Sequence, residues 1–368
     1  MHVLQILKFS PEFGGGIVAH LAAIGERLQA EGARVTYAFP KHRSWFERLA
    51  PYGDILEVPE ILTPWRPAFH RVLQPHRFDV AHLHFSFALP LAFSLPGRAR
   101  PRRIVYHWHN MPRSLLGSAA SPRIRMKRTA AGWLARCGDR AIDRHLTVSG
   151  EIAQALLSYG WTRPERVLHV PNAVGTPALE ETRHHRNDCV TLGAVANFRP
   201  EKDHDTLLRA FARVARRYPE ARLELVGDGP TRPAMEHLVE VMGLKERVTF
   251  RGIVLDLNDA YRRFDAFVLS THTEGHPLSL VEAMSYGLPF LATDLVPIRE
   301  IVPRELSDGL VPARNPIALG AAMSRMLEME DVAWQKRGAL ARDVVEKRYR
   351  MEMWTERVLS IYRAVISR

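Results

Sequence analysis

The chain has 368 residues, of which 46% are hydrophobic and 25% charged, a composition that excludes an intrinsically disordered protein. At about 150 residues per domain, this length predicts two or three domains. No apolar run reaches the roughly 20 residues of a membrane-spanning helix, and none near the start has the length of a secretory signal. We therefore expect a cytoplasmic protein.

The formal net charge of +11 lies in one half of the chain. Residues 1–170 hold 23 Lys and Arg against 12 Asp and Glu, whereas the other 28 basic residues are matched by 28 acids. This surface could meet an anionic acceptor or the inner face of the plasma membrane, or it could simply be solvated. No nucleic-acid-binding motif accompanies it, so no nucleic-acid partner is expected. Two basic clusters stand out: Arg98, Arg100, Arg102 and Arg103, and then Arg123, Arg125, Lys127 and Arg128.

In chain order, short apolar runs alternate with helical patterns at the spacing of a parallel α/β sheet. The alternation occurs twice, on either side of a polar segment at 171–188 that predicts a linker. The last segment, 351–367, has the apolar spacing of an amphipathic helix. The predicted strands are Val3–Phe9, Val35–Phe39, Val80–His84, Ile104–Trp108, His145–Val148, Thr191–Ala196, Arg222–Val226, Val248–Arg251 and Ala266–Ser270.

Two glutamates eight positions apart lie where a predicted strand gives way to a helix. Residues 274–282 read EGHPLSLVE, and the helix is predicted to begin near Leu278. Open α/β sheets bind ligands at the carboxyl ends of their strands, and the N–H groups at a helix start favour a phosphate. Glu274 and Glu282 could then accept hydrogen bonds from sugar hydroxyls beside that phosphate. The pattern predicts a nucleotide-sugar pocket.

This stretch resembles the signature of the family-4 retaining glycosyltransferases, which have the GT-B fold. Residues 274–289 (EGHPLSLVEAMSYGLP) are similar to the family's glutamate pair and the Ala-Met and Gly-Leu-Pro that follow it. The sequences NFRPEK at 197–202, LVGDGP at 225–230 and VTFRG at 248–252 occur in family order, and GGG at 14–16 resembles the N-terminal glycine loop. The resemblance implies two Rossmann-like α/β domains facing across a cleft. The acceptor domain would be 1–175 with a returning helix at 350–368, and the donor domain would be 186–349.

The resemblance also implies roles for individual residues in binding the donor. Glu282 would bind the ribose hydroxyls, Glu274 would lie near the donor sugar, and Lys202 would neutralise the leaving diphosphate. Asn197 stands where the family usually has arginine, and Arg199 could supply the missing charge. The other implied donor contacts are Gly15 and Gly16 of the glycine loop, the backbone near Ile253, and the backbone N–H groups of His276, Leu278 and Ser279.

The implied catalytic set consists of Lys202, Glu274 and His109, which lies just past a predicted strand. His82, His84 and His107 are competing histidines. Retaining transfer in the family is described as front-face attack, so His109 is not expected to act as a general base. The resemblance implies no cofactor and no metal, because in this fold the loop that carries the acidic pair at 203 and 205 binds phosphate without a divalent ion. The two acids also fit the first turn of a helix.

The resemblance therefore implies transfer of a hexose or N-acetylhexosamine from a nucleotide diphosphate sugar, with UDP favoured over GDP. The acceptor would be a glycan or a lipid-linked molecule in surface polysaccharide or glycolipid synthesis. Two alternatives stay open: a non-catalytic nucleotide-sugar-binding partner in a glycan assembly complex, and a GT-B nucleotide-sugar epimerase.

Overall fold

The computed structural model describes residues 1–7, 15–41, 44–58, 67–85, 88–93, 100–111, 136–178, 189–254 and 256–368. The chain divides into two compact units, 1–172 together with 351–368, and 173–350. Within the described ranges, no helix has both the length and the apolar character that a membrane span requires. Gly14, Arg98 and the whole second basic cluster, Arg123 to Arg128, lie outside these ranges.

The first unit is built on a parallel sheet whose described strands follow the order β3-β2-β1-β4-β5-β6-β7. Parallel strands are buried on both faces, which is why β4 and β5 read as nearly continuous runs of buried residues. The strands are β1 (His2–Leu7), β2 (Arg34–Phe39), β3 (Asp54–Glu57), β4 (Val80–His84), β5 (Arg103–Trp108), β6 (Arg144–Thr147) and β7 (Val167–His169). The helices are α1 (Gly15–Ala30), α2 (Pro67–Leu73), α3 (Ala88–Phe93), α4 (Gly150–Ser158) and, from the end of the chain, α12 (Met351–Ile366).

The two faces of this sheet differ in chemistry, because successive side chains of a strand point to opposite faces. One face packs into an apolar cluster that contains Ile6, Leu83 and Trp108. The other face presents polar side chains of β1, β4 and β5, and α12 covers them with the buried residues Trp354 and Tyr362. The last helix of the chain therefore belongs to the core of the first unit.

The second unit has a parallel sheet with the described order β10-β9-β8-β11-β12-β13. Along β11, Ala266 and Val268 join one apolar cluster, and Phe267 and Leu269 join another on the opposite face. The strands are β8 (Thr191–Val195), β9 (Arg222–Val226), β10 (Val248–Gly252), β11 (Ala266–Leu269), β12 (Phe290–Thr293) and β13 (Leu310–Val311). The helices are α5 (His204–Arg217), α6 (Arg232–Val241), α7 (Leu257–Arg263), α8 (Leu278–Ser285), α9 (Val296–Ile301), α10 (Pro316–Leu327) and α11 (Asp331–Arg348).

The predicted strands occur where the sequence places them, with small differences at their ends. Arg222–Val226 has the predicted bounds, and Thr191–Ala196 is one residue too long because β8 ends at Val195. The strand predicted to reach Phe9 is observed as His2–Leu7, and residues 8–14 lie outside the description. Four strands, β3, β7, β12 and β13, were not predicted.

Candidate functional site

The candidate donor site lies at the carboxyl end of the second sheet, where the neighbouring strands β8 and β11 both end. After β8 the chain forms a 3-10 turn at Pro200–Lys202, and two hydroxyls that follow β11 hold this turn. The Ser270 hydroxyl donates to the Lys202 carbonyl at 3.2 Å, and the Thr271 hydroxyl donates to the Glu201 carbonyl at 3.0 Å. The backbone that carries Lys202 is thus fixed to the end of β11.

Lys202 and Glu274 form an ion pair at this edge. The Lys202 Nζ atom lies 2.5 Å from Glu274 Oε1, and the two side chains are 23% and 9% exposed. The structure therefore brings together two of the three residues that the sequence marks as catalytic. The pair presents a cation that suits a phosphate and an acceptor-only carboxylate that suits a sugar hydroxyl.

Glu282, in α8, keeps an opening to solvent but is otherwise surrounded by protein. Burial raises the pKa of its carboxyl, and a hydrogen bond from the Tyr261 hydroxyl, at 2.6 Å to Oε2, lowers it by less. Tyr261 is itself buried in α7 and stacks on the Tyr286 ring. No cation pairs with Glu282 in the part of the chain that the structure describes. A carboxylate held this way is unfavourable for folding and typical of a binding site.

The start of α8 offers donors to an anion. The helix begins at Leu278 directly after Pro277, which caps it with no side-chain hydrogen bond. The first N–H groups of a helix, here those of Leu278 and Ser279, have no acceptor within the helix. The His276 ring is buried against Tyr349, with 5.2 Å between the ring centroids. The contact of its backbone N–H with a ligand stays a prediction.

Two glycines let the loop after β9 approach the loop after β8. Gly227 and Gly229 have φ angles of 133° and 154°. A Cβ atom added at Gly227 would lie 2.1 Å from the Ala196 carbonyl oxygen, and one at Gly229 would lie 2.5 Å from the Phe198 carbonyl oxygen. The two loops therefore meet backbone to backbone, which only glycine permits.

The remaining predicted donor contacts lie around these loops. Asn197 and Arg199 are both exposed, and no described residue forms a hydrogen bond or ion pair with the Arg199 side chain. The hypothesis that Arg199 replaces the arginine missing at Asn197 stays a prediction. Ile253 follows β10 and is partly buried. The acid pair lies at a helix start, as predicted: Asp203 caps α5 by accepting a hydrogen bond from the Thr206 N–H at 3.3 Å.

The candidate acceptor unit carries a buried cluster of histidines. His82 and His84 lie at the end of β4, and His107 and His109 lie at the end of β5 and just beyond it. Side chains two residues apart share a face, and His84 is in register with His107 on the neighbouring strand. The His107 and His109 rings stack with centroids 4.3 Å apart. Phe85, whose φ of 62° is unusual for a residue other than glycine, stacks on the other predicted catalytic residue, His109, at 4.5 Å.

A directional chain of hydrogen bonds fixes the tautomer of His109. Gln5 donates from Nε2 to the Tyr362 hydroxyl at 2.9 Å, so its Oε1 atom accepts from His84 Nε2 at 3.1 Å. His84 then has its lone pair on Nδ1, which lies 2.9 Å from His109 Nε2. His109 Nε2 therefore donates to His84, and His109 Nδ1 is left as an acceptor. The Tyr362 hydroxyl in turn donates to His82 Nδ1 at 2.6 Å.

These imidazoles are neutral at neutral pH. Burial, and then the neighbouring imidazoles, hold the pKa values of His82, His84 and His109 well below the ordinary value. Burial also lowers the pKa of His107 to about 3, against a smaller raising effect of the Val170 backbone. Nitrogens of His82, His84 and His107 lie within 4.8 Å of one another, so three imidazoles could hold a metal ion there. Both ring nitrogens of His84 are already hydrogen-bonded, however, and a metal would have to displace one of those bonds.

The glycine loop is described only from Gly15, which opens α1. The Gly16 carbonyl accepts a hydrogen bond from His20 Nδ1 at 2.7 Å, and the His20 ring lies edge-on to Trp354 of α12. The start of α1 is thus tied to the same covered face as the histidine cluster. Tyr261, Gln5 and the covering helix residues were not predicted from the sequence, although the two His-x-His patterns at neighbouring strand ends were a usable signal.

The two units together have the fold of GT-B glycosyltransferases. The chain superposes on the crystal structure of Anabaena HepE in complex with UDP and glucose with a TM-score of 0.79, covering 98% of this chain and 99% of that one at 17% identity. The predicted fold class, two Rossmann-like domains of the GT-B type, is confirmed.

Sequence comparison identifies the family. Residues 14–176 match the family model "Glycosyltransferase Family 4", and residues 189–329 match "Glycosyl transferases group 1". The chain belongs to the family-4 glycosyltransferases. It is 24% identical to a component of the phosphatidylinositol N-acetylglucosaminyltransferase of Arabidopsis thaliana over 90% of this chain and 80% of that protein. It is 25% identical to the GDP-mannose-dependent alpha-(1-6)-phosphatidylinositol monomannoside mannosyltransferase of Mycolicibacterium smegmatis over 94% of this chain and 98% of that one.

Proposed function

We propose that this glycosyltransferase moves a hexose or N-acetylhexosamine from a nucleoside diphosphate sugar, with UDP favoured over GDP, to a glycan or lipid-linked acceptor. The observation that carries the proposal is Glu282. A largely enclosed carboxylate with a raised pKa and no cationic partner among the described residues weakens the fold unless a ligand uses it. A ribose diol offers two O–H donors to its two oxygens. The UDP bound to HepE and the N-acetylglucosaminyltransferase and mannosyltransferase relatives support this class of donor.

The second unit would bind the diphosphate and the sugar through separate groups. Lys202 and the uncapped start of α8 would hold the phosphate oxygens and offset the charge that develops as the glycosidic bond breaks. Glu274 would exchange its bond with Lys202 for one from a sugar hydroxyl. The ion pair keeps both side chains in place until the donor arrives.

The first unit would bind the acceptor, with His109 at the carboxyl edge of its sheet. Because His109 Nε2 donates its hydrogen bond to His84, His109 presents Nδ1 as a hydrogen-bond acceptor, which suits a sugar hydroxyl and not a carbonyl. We assign His109 a positioning contact and no general-base step. Retention of anomeric configuration and independence from metal belong to this proposal.

The first test is a thermal-shift series with UDP, UDP-glucose, UDP-N-acetylglucosamine and GDP-mannose, each with and without EDTA. A ligand that binds the folded state raises the melting temperature, and we expect a shift with the uridine nucleotides that EDTA leaves unchanged. No shift with any nucleotide would contradict the donor site. A shift abolished by EDTA would contradict metal independence.

A second assay separates the transferase from its alternatives. Incubation with the stabilising nucleotide sugar and a panel of glycan and lipid acceptors should release nucleoside diphosphate only when an acceptor is present. Proton NMR of the product should show the anomeric configuration of the donor. Sugar isomerisation without an acceptor would point to an epimerase, and binding without turnover on any acceptor would point to a non-catalytic partner.

A further inference from the structure

A second polar site lies in the first unit, at the opposite edge of its sheet from His109. A cavity of about 360 Å³ opens there, and seven of its lining residues are arginines. Arg103 and Arg144 are the first residues of β5 and β6, and Arg166 directly precedes β7. Because the strands are parallel, their amino ends meet at one edge and His109 lies at the other. Asp143 is the only acidic residue that lines the cavity within the described ranges.

The positive charge of this cavity is not balanced by the carboxylates around it. Arg103 pairs with Asp143 at 3.1 Å, and Arg166 pairs with Asp139 at 3.3 Å. Among the residues that the structure describes, the Arg144 side chain donates only to the backbone carbonyl of Asp143, at 2.7 Å. Burial, and then the like charges of Arg368 and Arg166, lower the pKa of Arg144, whereas Asp143 raises it.

The other four arginines of the cavity, Arg368 among them, are exposed. The side chains of Arg100, Arg102 and Arg140 form no hydrogen bond and no ion pair with any residue in the described parts of the chain. Arginine stays protonated even when crowded, and its planar guanidinium binds two oxygens of a phosphate at once. A cavity of this size admits a compact head group but not a folded macromolecule.

We propose that this arginine cavity binds a phosphate-bearing polyanion, at a site separate from the donor site of the second unit. The ligand would place its phosphate oxygens between Arg144 inside the cavity and Arg102 and Arg140 at its rim. It would relieve the repulsion among the guanidinium groups. The phosphate could belong to a soluble molecule or to the head group of an anionic lipid, and both sources share this chemistry.

The test compares two variants that lose the same charge. Arg102→Gln/Arg140→Gln removes two exposed guanidiniums of the cavity, and the control Arg48→Gln/Arg163→Gln removes two exposed arginines of the same unit that do not line it. One arm titrates inorganic pyrophosphate by calorimetry. The other measures co-sedimentation with phosphatidylcholine vesicles with and without phosphatidic acid. The thermal shift with UDP reports the donor site and should be equal in all three proteins.

The cavity variant is expected to bind its ligand at least about tenfold more weakly than the wild type, and the control within about twofold. If the cavity variant loses affinity for pyrophosphate alone, the ligand is a soluble phosphate. If it loses binding to vesicles that contain phosphatidic acid, the ligand is a lipid head group. Equal affinities of the two variants in both arms would overturn the proposal, because the binding would then reflect net charge alone. Arg144→Lys keeps the positive charge but not the planar guanidinium that binds two oxygens at once, so it should weaken binding while preserving the melting temperature.

Discussion

Replacing Glu282 with glutamine should stabilise the empty protein and weaken nucleotide binding at the same time. Glutamine has nearly the same shape, and its carbonyl can still accept the Tyr261 hydrogen bond seen at 2.6 Å. The change removes only the buried charge, so we expect a gain of about 1–2 kcal/mol in the free energy of unfolding at neutral pH. For a unit the size of 173–350, each kcal/mol corresponds to about 2–4 °C in melting temperature.

The stability difference between the wild type and Glu282→Gln should depend on pH, and the pKa of Glu282 gives the direction of that dependence. The folded-state pKa of Glu282 lies above its ordinary value of 4.5, so the folded protein holds this proton more tightly than the unfolded chain. The contribution of the side chain to stability is therefore favourable below 4.5 and is lost as the pH rises through the folded-state pKa. The advantage of Glu282→Gln should be largest at neutral pH and should vanish in acid. A variant that melts below the wild type at neutral pH would refute the reasoning.

Binding measurements complete the test. The amide of Glu282→Gln keeps one acceptor oxygen for the ribose diol and loses the other. Because a hydrogen bond to a charged group contributes about 1.5–3 kcal/mol, the variant should bind UDP about 10- to 150-fold more weakly than the wild type. The wild type should discriminate against 2′-deoxy-UDP, and the variant should discriminate less. The control Glu240→Gln changes an exposed glutamate of α6 and should alter neither quantity. Unchanged UDP affinity in Glu282→Gln would show that Glu282 does not bind the donor.

Three other predictions concern residues around the sites. Lys202→Ala should lower kcat/KM of the transferase by about 100-fold or more, and Arg199→Ala should lower it by a smaller factor. The reverse order would transfer the main phosphate-binding role to Arg199. Gly193→Ala places a Cβ atom 2.1 Å from the Phe264 ring and should lower the free energy of unfolding, measured by denaturant titration, by about 1–3 kcal/mol. Gly175→Ala, whose added Cβ atom would have nothing within 4 Å, should leave it nearly unchanged. Equal effects of the two substitutions would contradict the close packing of Gly193 against Phe264. Gln5→Leu removes the acceptor that sets the His84 tautomer, so kcat should fall about tenfold while UDP affinity stays unchanged, and the ¹⁵N chemical shifts of His109 should change. Tyr362→Phe should have a smaller effect on kcat. Unchanged His109 shifts in Gln5→Leu would contradict the chain of hydrogen bonds.

Local sequence patterns predicted most of the fold, because each signal lies within a few consecutive residues. Arg222–Val226 is a short apolar run between turn residues and is observed with those bounds. β13 has only two residues, Leu310 and Val311, and too short a strand carries no periodicity to detect. Its place depends on the neighbouring strand β12, which is a tertiary contact.

Some residues of the candidate sites could likewise be predicted from local sequence, whereas others could not. Glu274 and Glu282 share one motif and could be found together, whereas Tyr261, which holds Glu282, comes from the preceding helix 21 residues earlier. No spacing rule links residues on separate elements, so such partners emerge only from packing. The arginine cavity gives a second example: the cluster near Arg102 was visible in the sequence, but Arg144 and Arg166 join it only because parallel strands begin at a common edge.

The position of α12 has a consequence for how the chain is made on the ribosome. Tyr362 is fully buried against Gln5 and His82, more than 270 residues away in sequence, and Arg363 pairs with Glu31 at 2.6 Å. The N-terminal unit is therefore synthesised first but completed last, after the whole of 173–350 has emerged. At about 5–20 residues per second, its histidine face stays uncovered for roughly ten seconds or more. During that interval the nascent chain exposes polar strands with no helix to shield them, which makes this uncovered face a natural point of engagement for chaperones and residues 351–368 a poor place to truncate.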